Sequence, residues 1–342
     1  MSLRTVLRRY CPQGLLLLLA AAAIWSLTLG RYPVSTAETV RFLLHKLFGF
    51  GTPEAVQYQL WHNVLWEIRA PRIAAAILIG SALATSGSAF QAMFINPLVS
   101  PGLLGVLPGA AAGAALGMLL DRGWGTVQLC TFVGGLAAVG LAVSLARLYR
   151  GDRLLMLILG GIISGSLFTS LLSLLKYLAD PNDQLPAIVY WLMGGLSLAD
   201  AETVAMVALP MLTGMAGILL FAGHLNVLSM GDEEAGSLGL RVRQVRFWLV
   251  LLATVISALT VVIGGLIGWV GLVIPHSARM LVGPDNRRLL PVAAVLGGLF
   301  LLTVDNLSRL LLQVEIPLGI LTSLLGIPFF AMVLKNARKG WG

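Results

Sequence analysis

Charge is scarce in this sequence: only 11% of its 342 residues are Asp, Glu, Lys or Arg, against 58% that are hydrophobic. A soluble domain carries about 25% charge, so a chain this poor in it is built for a bilayer. Lysine is nearly missing. None of the four lysines follows a glycine-rich loop and precedes Ser or Thr, which excludes a Walker A phosphate loop and leaves any ATP to another subunit. Cysteine is almost as rare. Cys11 at the edge of the first apolar run and Cys130 inside a later one read as small buried hydrophobes, and no disulfide framework follows from them. His45, His62, His224 and His276 lie far apart, no His, Cys and acid cluster has metal-ligand spacing, and neither H-E-x-x-H nor G-x-S-x-G occurs. An enzymatic reading therefore has nothing to stand on. The net charge of +8 comes from residues scattered singly between apolar runs, which speaks for loop charge that sets orientation and against a nucleic-acid surface.

What is present is a series of long apolar runs. Ten fall near residues 14–30, 73–93, 100–119, 125–147, 154–177, 202–222, 246–267, 269–284, 289–311 and 317–335, with the third and eighth the weakest. The expected fold is all-α, a single polytopic membrane domain. Arg4, Arg8 and Arg9 precede an unbroken run without a clean cleavage site, so the first run reads as an anchored span and not a cleaved signal. With the N-terminus inside, five inner segments hold 15 of the 23 Lys and Arg: Arg4, Arg8, Arg9; Arg147, Arg150, Arg153; Arg241, Arg243, Arg246; Arg279, Arg287, Arg288; Lys335, Arg338, Lys339. That asymmetry supports an even span count with both termini cytoplasmic. The outer side has two sizeable segments, 31–72 with an amphipathic piece near 37–48, and 179–201, where Tyr190 and Trp191, with Tyr177 just before, suit an interfacial belt.

The apolar pattern breaks in two places. Residues 264–288 hold Gly264, Gly265, Gly268, Gly271 and Pro275 within one apolar run, which no continuous helix tolerates. Pro275 is expected to start a helix over 275–282, too short to cross. Irregular backbone at membrane depth needs protein cover or a water-filled path beside it, so this stretch points to a transport route. The second break runs from Asn96 and Pro97 through Pro101 to Pro108. The breaks begin on opposite sides, after the second and the seventh run, as an inverted repeat of four or five spans would place them.

Other features each carry two readings. Gly109, Gly113 and Gly117, like Gly161 and Gly165, give smooth faces for close helix packing; the alternative is that Gly160, Gly161, Ser164 and Gly165 line a path. Asp305 and Arg309 stand at i and i+4 and can pair on one helix face. Only His276 reaches mid-membrane depth, and beside a proline break it reads as structural. Arg69 and Arg72 put two arginines at the outer mouth of the second span, where they either snorkel to headgroups or receive an acidic partner. The inner loop around 223–245 contains Asp232, Glu233, Glu234, Ala235, Gly236, Leu238 and Gly239. Residues 232–238 suit a short helix with acids in its first turn and Gly239 as its stop. That helix is either a device that receives force from a partner or a solvated loop.

Taken together, Arg69-Ala-Pro-Arg72-Ile, the run from Gly80 to Gly87, Gln91, Asn96-Pro97-Leu, Pro101-Gly-Leu-Leu-Gly105, the run from Gly268 to Arg279, Val282-Gly-Pro-Asp285, Leu290-Pro291, Asp305-Asn-Leu-Ser-Arg309 and Glu315-Ile-Pro317-Leu-Gly319 resemble the FecCD family of ABC importer permeases. The match runs in order from about Arg69 to Lys335. The resemblance implies a ten-span, inverted-repeat permease of the type II importer fold in the bacterial inner membrane. It works as a dimer with a second copy or a paralogue, with two cytoplasmic ATPases that bind ATP and Mg, and with a periplasmic binding protein. It further implies that Arg69, Arg72 and Arg309 receive acids of the binding protein, that residues 232–239 form the coupling helix, and that Asn96, Pro97, Gly160, Gly161, Ser164, Gly165, Gly268, Gly271 and Pro275 lie along the path and its gates. Ferric siderophore or haem is the expected cargo, with cobalamin or molybdate as alternatives; the competing reading is an ion-coupled secondary carrier.

Overall fold

The computed structural model describes residues 3–51, 54–148 and 153–337. Arg150, Arg338 and Lys339 fall outside them, as do the side chains of Arg4, Arg8, Arg9, Cys11, Arg153 and Lys335. Among the described residues every regular element is a helix. In order they are α1 (Leu3–Thr28), α2 (Thr36–Phe48), α3 (Ala55–Trp61), α4 (Ala70–Met93), α5 (Val106–Leu119), α6 (Trp124–Leu148), α7 (Arg153–Leu178), α8 (Gln184–Leu192), α9 (Ala201–Leu220), α10 (Ala222–Leu228), α11 (Asp232–Ser237), α12 (Val242–Gly264), α13 (Val270–Val282), α14 (Asn286–Leu310) and α15 (Leu318–Ala337). A π-helical stretch, His62–Arg69, joins α3 to α4 without a break.

Each of the ten expected runs finds a helix. Among the described residues six apolar helices are long enough to cross a bilayer, and four are shorter: Pro12–Thr28, Val106–Leu119, Val270–Val282 and Leu318–Met332. The two weakest runs became α5 and α13, of 14 and 13 residues, which reach only about 20 Å at 1.5 Å per residue. Both follow broken backbone. A 3-10 turn (Pro101–Leu104) and Gly105 precede α5, and the irregular residues 265–269 precede α13.

One expectation is corrected at that second break. Pro275 does not start the helix; α13 begins at Val270, and Pro275 sits in its second turn. The break falls earlier because Gly265 and Trp269 both take positive φ, +65° and +66°. Gly265 adopts it freely, whereas Trp269 is held there against its preference. Pro275 is tolerated because the carbonyl it leaves without an N–H partner, that of Gly271, abuts Gly87 of α4, a place where any Cβ would overlap it.

Helix α4 is the centre of the molecule. Its apolar window is 89% buried and that of α12 72%, against 28% for α6 and 22% for α7. A helix apolar all round belongs inside a bundle, and α4 shows no amphipathic stripe: Ile79, Ala84 and Thr85, about 120° apart around the axis, are all fully buried. Gly80 meets Gly297 of α14 backbone to backbone, the small-residue packing that membrane helices use in place of a hydrophobic drive. Its buried hydroxyls are satisfied locally, Thr85 donating to the Ser81 carbonyl and Ser88 to that of Ala84, while Ser81 reaches across to Ala294.

The packing is repeated in the two halves. Short α5 packs on α6, α7 and α12, and short α13 packs on α14, α15 and α4. In each half the short helix packs on the long central helix of the other, α5 on α12 and α13 on α4, the pairing that an inverted repeat of the two halves would give.

Candidate functional site

Three places carry the features that could act: one end of the bundle where the arginines gather, the opposite end at α11, and the irregular backbone between α12 and α13. The ends are opposite because α12 leads from Val242, beside the Asp232–Arg246 contact, to Gly264, and Gly264 and Gly265 border the recess that Ser308 and Glu315 also line.

At the arginine end, three cations and two acids form one network. Arg72 donates from Nε to Asp305 at 3.0 Å and lays its two terminal nitrogens on both oxygens of Glu315, at 3.0 and 2.9 Å. Asp305, fully buried, also faces Arg309 at 3.3 Å, so the expected i, i+4 ion pair is present within α14 and extends through Arg72 to a second helix, α4. Arg309 further donates to the Leu29 carbonyl, to Ser26 Oγ and to Asn306 Oδ1. Arg69 donates to the carbonyls of Leu27 and Tyr32, both at 2.5 Å. The last carbonyls of α1 have no helical partner, and the two arginines supply one. Burial alone would raise the Glu315 carboxyl, but the Arg72 guanidinium, with Arg31 and Arg309 nearby, brings it below the ordinary value.

This geometry differs from open outer arginines. Arg69, Arg72 and Arg309 are 4%, 7% and 7% exposed, and each is occupied inside the chain. Glu315, Asn306 and Ser26 complete the network. Glu315 stands in a quoted motif, but no signal in the sequence joined it to Arg72, 243 residues away. Trp191, expected in an interfacial belt, is buried against Val261 and Ala114, while Tyr177 and Tyr190 are exposed.

At the other end, α11 forms as the sequence expects, with Asp232, Glu233 and Glu234 in its first turn and Gly239 at φ +82° just beyond it. Ala235 is buried and anchors the turn, whereas Glu233, Glu234, Gly236, Leu238 and Gly239 are exposed. The helix is clamped to its neighbours. Arg246 of α12 holds both oxygens of Asp232, at 2.6 and 2.9 Å, a bidentate pair with fixed geometry. Asn226 of α10 joins Asp285 and Asn286 at the start of α14. The Asn226 amide, with the Arg287 N–H, holds the Asp285 carboxyl below its usual value. Arg246 is the residue that sequence reasoning missed here, since it had been counted only as loop charge.

Between α12 and α13, Gly268 borders an open recess of about 460 Å³ with Leu266, Trp269, Gly319, Ile320 and Ser323. Trp269 packs against Gly326 and meets the Phe330 ring edge-on at 6.3 Å. Gly271 is packed against Leu83 and Gly87 of α4, Pro275 is buried, and Asn96 and Pro97 lie exposed on the turn after α4. The small face of α7 is taken up by packing: Gly160 abuts Ala142, Gly161 abuts Leu103, Gly165 neighbours Gly105, and Ser164, wholly buried, donates to the Ala138 carbonyl. The opposite face of α7 instead exposes Ser166, Thr169, Ser170 and Ser173 at i, i+3, i+4 and i+7.

A helical membrane protein with one end closed by buried charge, the other displaying a clamped acidic helix, and broken spans between them has the anatomy of a transport subunit. The FecCD transport family model matches residues 17–336, and the chain belongs to that family. It is 37% identical over 327 residues to the molybdate import system permease protein MolB of Haemophilus influenzae, covering 96% of each chain. It is 37% identical over 335 residues to the hemin transport system permease protein HmuU of Yersinia pestis, covering 95% of each. A solved structure described as an inward-facing conformation of a metal-chelate type ABC transporter superposes with a TM-score of 0.84 at 36% identity, covering 96% of this chain and 99% of that one. The fold and the role of ABC permease expected from the motifs are therefore those of the chain.

Proposed function

We propose that this chain is the membrane-spanning subunit of an ATP-driven importer of a metal chelate, ferric siderophore or haem, with the Arg69 end facing the periplasm and both termini in the cytoplasm of a bacterial inner membrane. The observation that carries it is the asymmetry of the two ends: α11 is exposed yet tied directly to α12 through Asp232 and Arg246, and it packs on α10, which is itself bonded to the start of α14, so a push on it moves spans. Separate cytoplasmic ATPases, which bind ATP and Mg, press on Glu233, Glu234, Gly236, Leu238 and Gly239. At the other end a periplasmic binding protein delivers cargo, and its acids are received by Arg69, Arg72 and Arg309, with Arg72 released as an incoming acid takes the place of Glu315, the most exposed member of the network. Two copies, or a copy and a paralogue, face each other across a path; the hydroxyls of Ser166, Thr169, Ser170 and Ser173 suit that position better than lipid. Docking and ATP each favour one of two conformations, with Gly268 and Trp269 at the moving break.

The test is reconstitution. Proteoliposomes holding this chain and the ATPase encoded beside it are expected to take up chelate only with ATP inside the ATPase compartment and with loaded binding protein at the Arg69 face. Uptake by the chain alone on a proton or sodium gradient overturns the reading. Offering ferric siderophore, haem, cobalamin and molybdate in parallel identifies the cargo.

A further inference from the structure

The segment between α1 and α4 contains an element that transport leaves unused. Helix α2 is a self-sufficient unit. Ser35 Oγ accepts from the Glu38 N–H while the Glu38 carboxylate accepts from the Ser35 N–H and hydroxyl, and Gly49 at φ +72° closes the far end. Its inner face is conventional: Phe42, wholly buried, packs among Val34, Trp61 and Leu65, with the Tyr58 ring 5.7 Å away. Its outer face is not. Val40, Leu44, Leu47 and Phe48 are 46%, 42%, 61% and 67% exposed. At about 100° per residue they fall within one arc of about 100°, opposite Phe42. Phe50, just past the cap, adds to the same exposed apolar end.

We propose that α2 is an interfacial helix whose outer face lies in the headgroup and acyl boundary of the membrane at the Arg69 end. The partner is a lipid surface. Three observations single it out. The charges complement anionic headgroups: Arg41 is exposed beside the apolar arc, Lys46 is exposed near the same end, and the one acid, Glu38, is used up in the cap. Lys46 lies over the Trp66 ring, 5.3 Å from its centre, which puts the C-terminal end of α2 level with a tryptophan at the top of the central span, where aromatic and basic anchors gather. Leu60, Trp66 and Ile68 are likewise exposed on the helix against which α2 rests, so the apolar surface at this end extends beyond α2 itself. That helix, Ala55–Met93, has 39 residues, about 58 Å against a hydrocarbon core of about 30 Å, so its first turns emerge through the headgroup layer. The α2 helix therefore lies obliquely, with Phe48 and Leu47 deepest and Val40 shallowest.

Single cysteines at Leu47→Cys, Phe48→Cys and Arg41→Cys, in a chain with Cys11→Ser and Cys130→Ser, are labelled with nitroxide and read by power saturation in phosphatidylethanolamine and phosphatidylglycerol nanodiscs. Labels at 47 and 48 are expected to collide with oxygen severalfold more than with a water-soluble nickel chelate, and the label at 41 to show the reverse order. Nickel access at 47 and 48 equal to that at 41 puts the face in water and overturns the proposal. Exclusion of both reagents at 47 and 48 overturns it too, because it means that a second protein copy covers the face.

Discussion

The two charged ends of the molecule look alike in the sequence and are opposites in the structure. At one, Arg69, Arg72, Arg309 and Asp305 are buried, and their hydrogen bonds run to carbonyls and carboxylates of their own chain. At the other, Glu233 and Glu234 stand in the open and only Asp232 is tied down, by Arg246. Buried charge held by hydrogen bonds of its own chain keeps elements in register; exposed charge on a clamped helix is available to something else. The arginine end is thus a latch that joins α1, α4, α14 and the entry to α15, and the Asp232 end is a handle.

If that contrast is right, damage at the two ends differs in kind. The largest effect is expected from Asp305→Ala, which leaves Arg72 and Arg309 buried beside an empty place. Breaking a buried pair in this way costs about 3–5 kcal/mol, read as a clear fall in thermal unfolding temperature in detergent. A loss no greater than that of a surface substitution would mean that the latch is not closed. Next is Arg246→Ala. Asp232 keeps access to water, so the stability cost is about 1 kcal/mol, but the handle comes loose: ATP hydrolysis by the partner ATPase is expected to continue while transport falls. Exchanging the charges, Arg246→Asp with Asp232→Arg, restores part of the transport; no recovery would show that Arg246 acts otherwise than through Asp232.

A smaller effect belongs to Glu315. Its carboxyl is held below the ordinary range by Arg72, so the stability that this contact adds is complete above the unfolded value of about 4.3 and is lost as pH falls through the lower folded value. Wild-type protein is expected to lose a little stability on acidification in that window, and Glu315→Gln to lose that part of the pH dependence. An identical acid profile for both would remove Glu315 from the latch.

The sequence made the scaffold legible because membrane spans announce themselves by length and apolarity, and because the two breaks carry their own residues, Gly105 and Pro101 at one and Gly265 and Pro275 at the other. It also showed α11 with its stop at Gly239, since a local helix is written in local residues. Contacts across the chain were not legible. Nothing local tells that Arg72 meets Glu315, that Arg246 meets Asp232, or that Arg69 turns inward to cap α1, because each depends on how helices far apart in sequence are laid together. The start of α13 was misplaced for a related reason: proline signals a helix start, yet here the neighbouring Gly87 makes room for the carbonyl that Pro275 strands.

The smallest effect on stability, and the sharpest test of the contrast, is Leu238→Ser. Leu238 is 63% exposed at the tip of the handle, just before Gly239. It packs into no core cluster, so its loss is expected to change stability by less than about 0.5 kcal/mol, as surface substitutions do. On the proposed role of α11, the partner ATPase buries this side chain on docking. Association of the purified chain with its ATPase, followed by co-purification or light scattering, is therefore expected to weaken while the unfolding temperature stays put. Unchanged association would reduce α11 to a solvated turn. A fall in stability as large as that of Asp305→Ala would mean that the two ends are built alike after all.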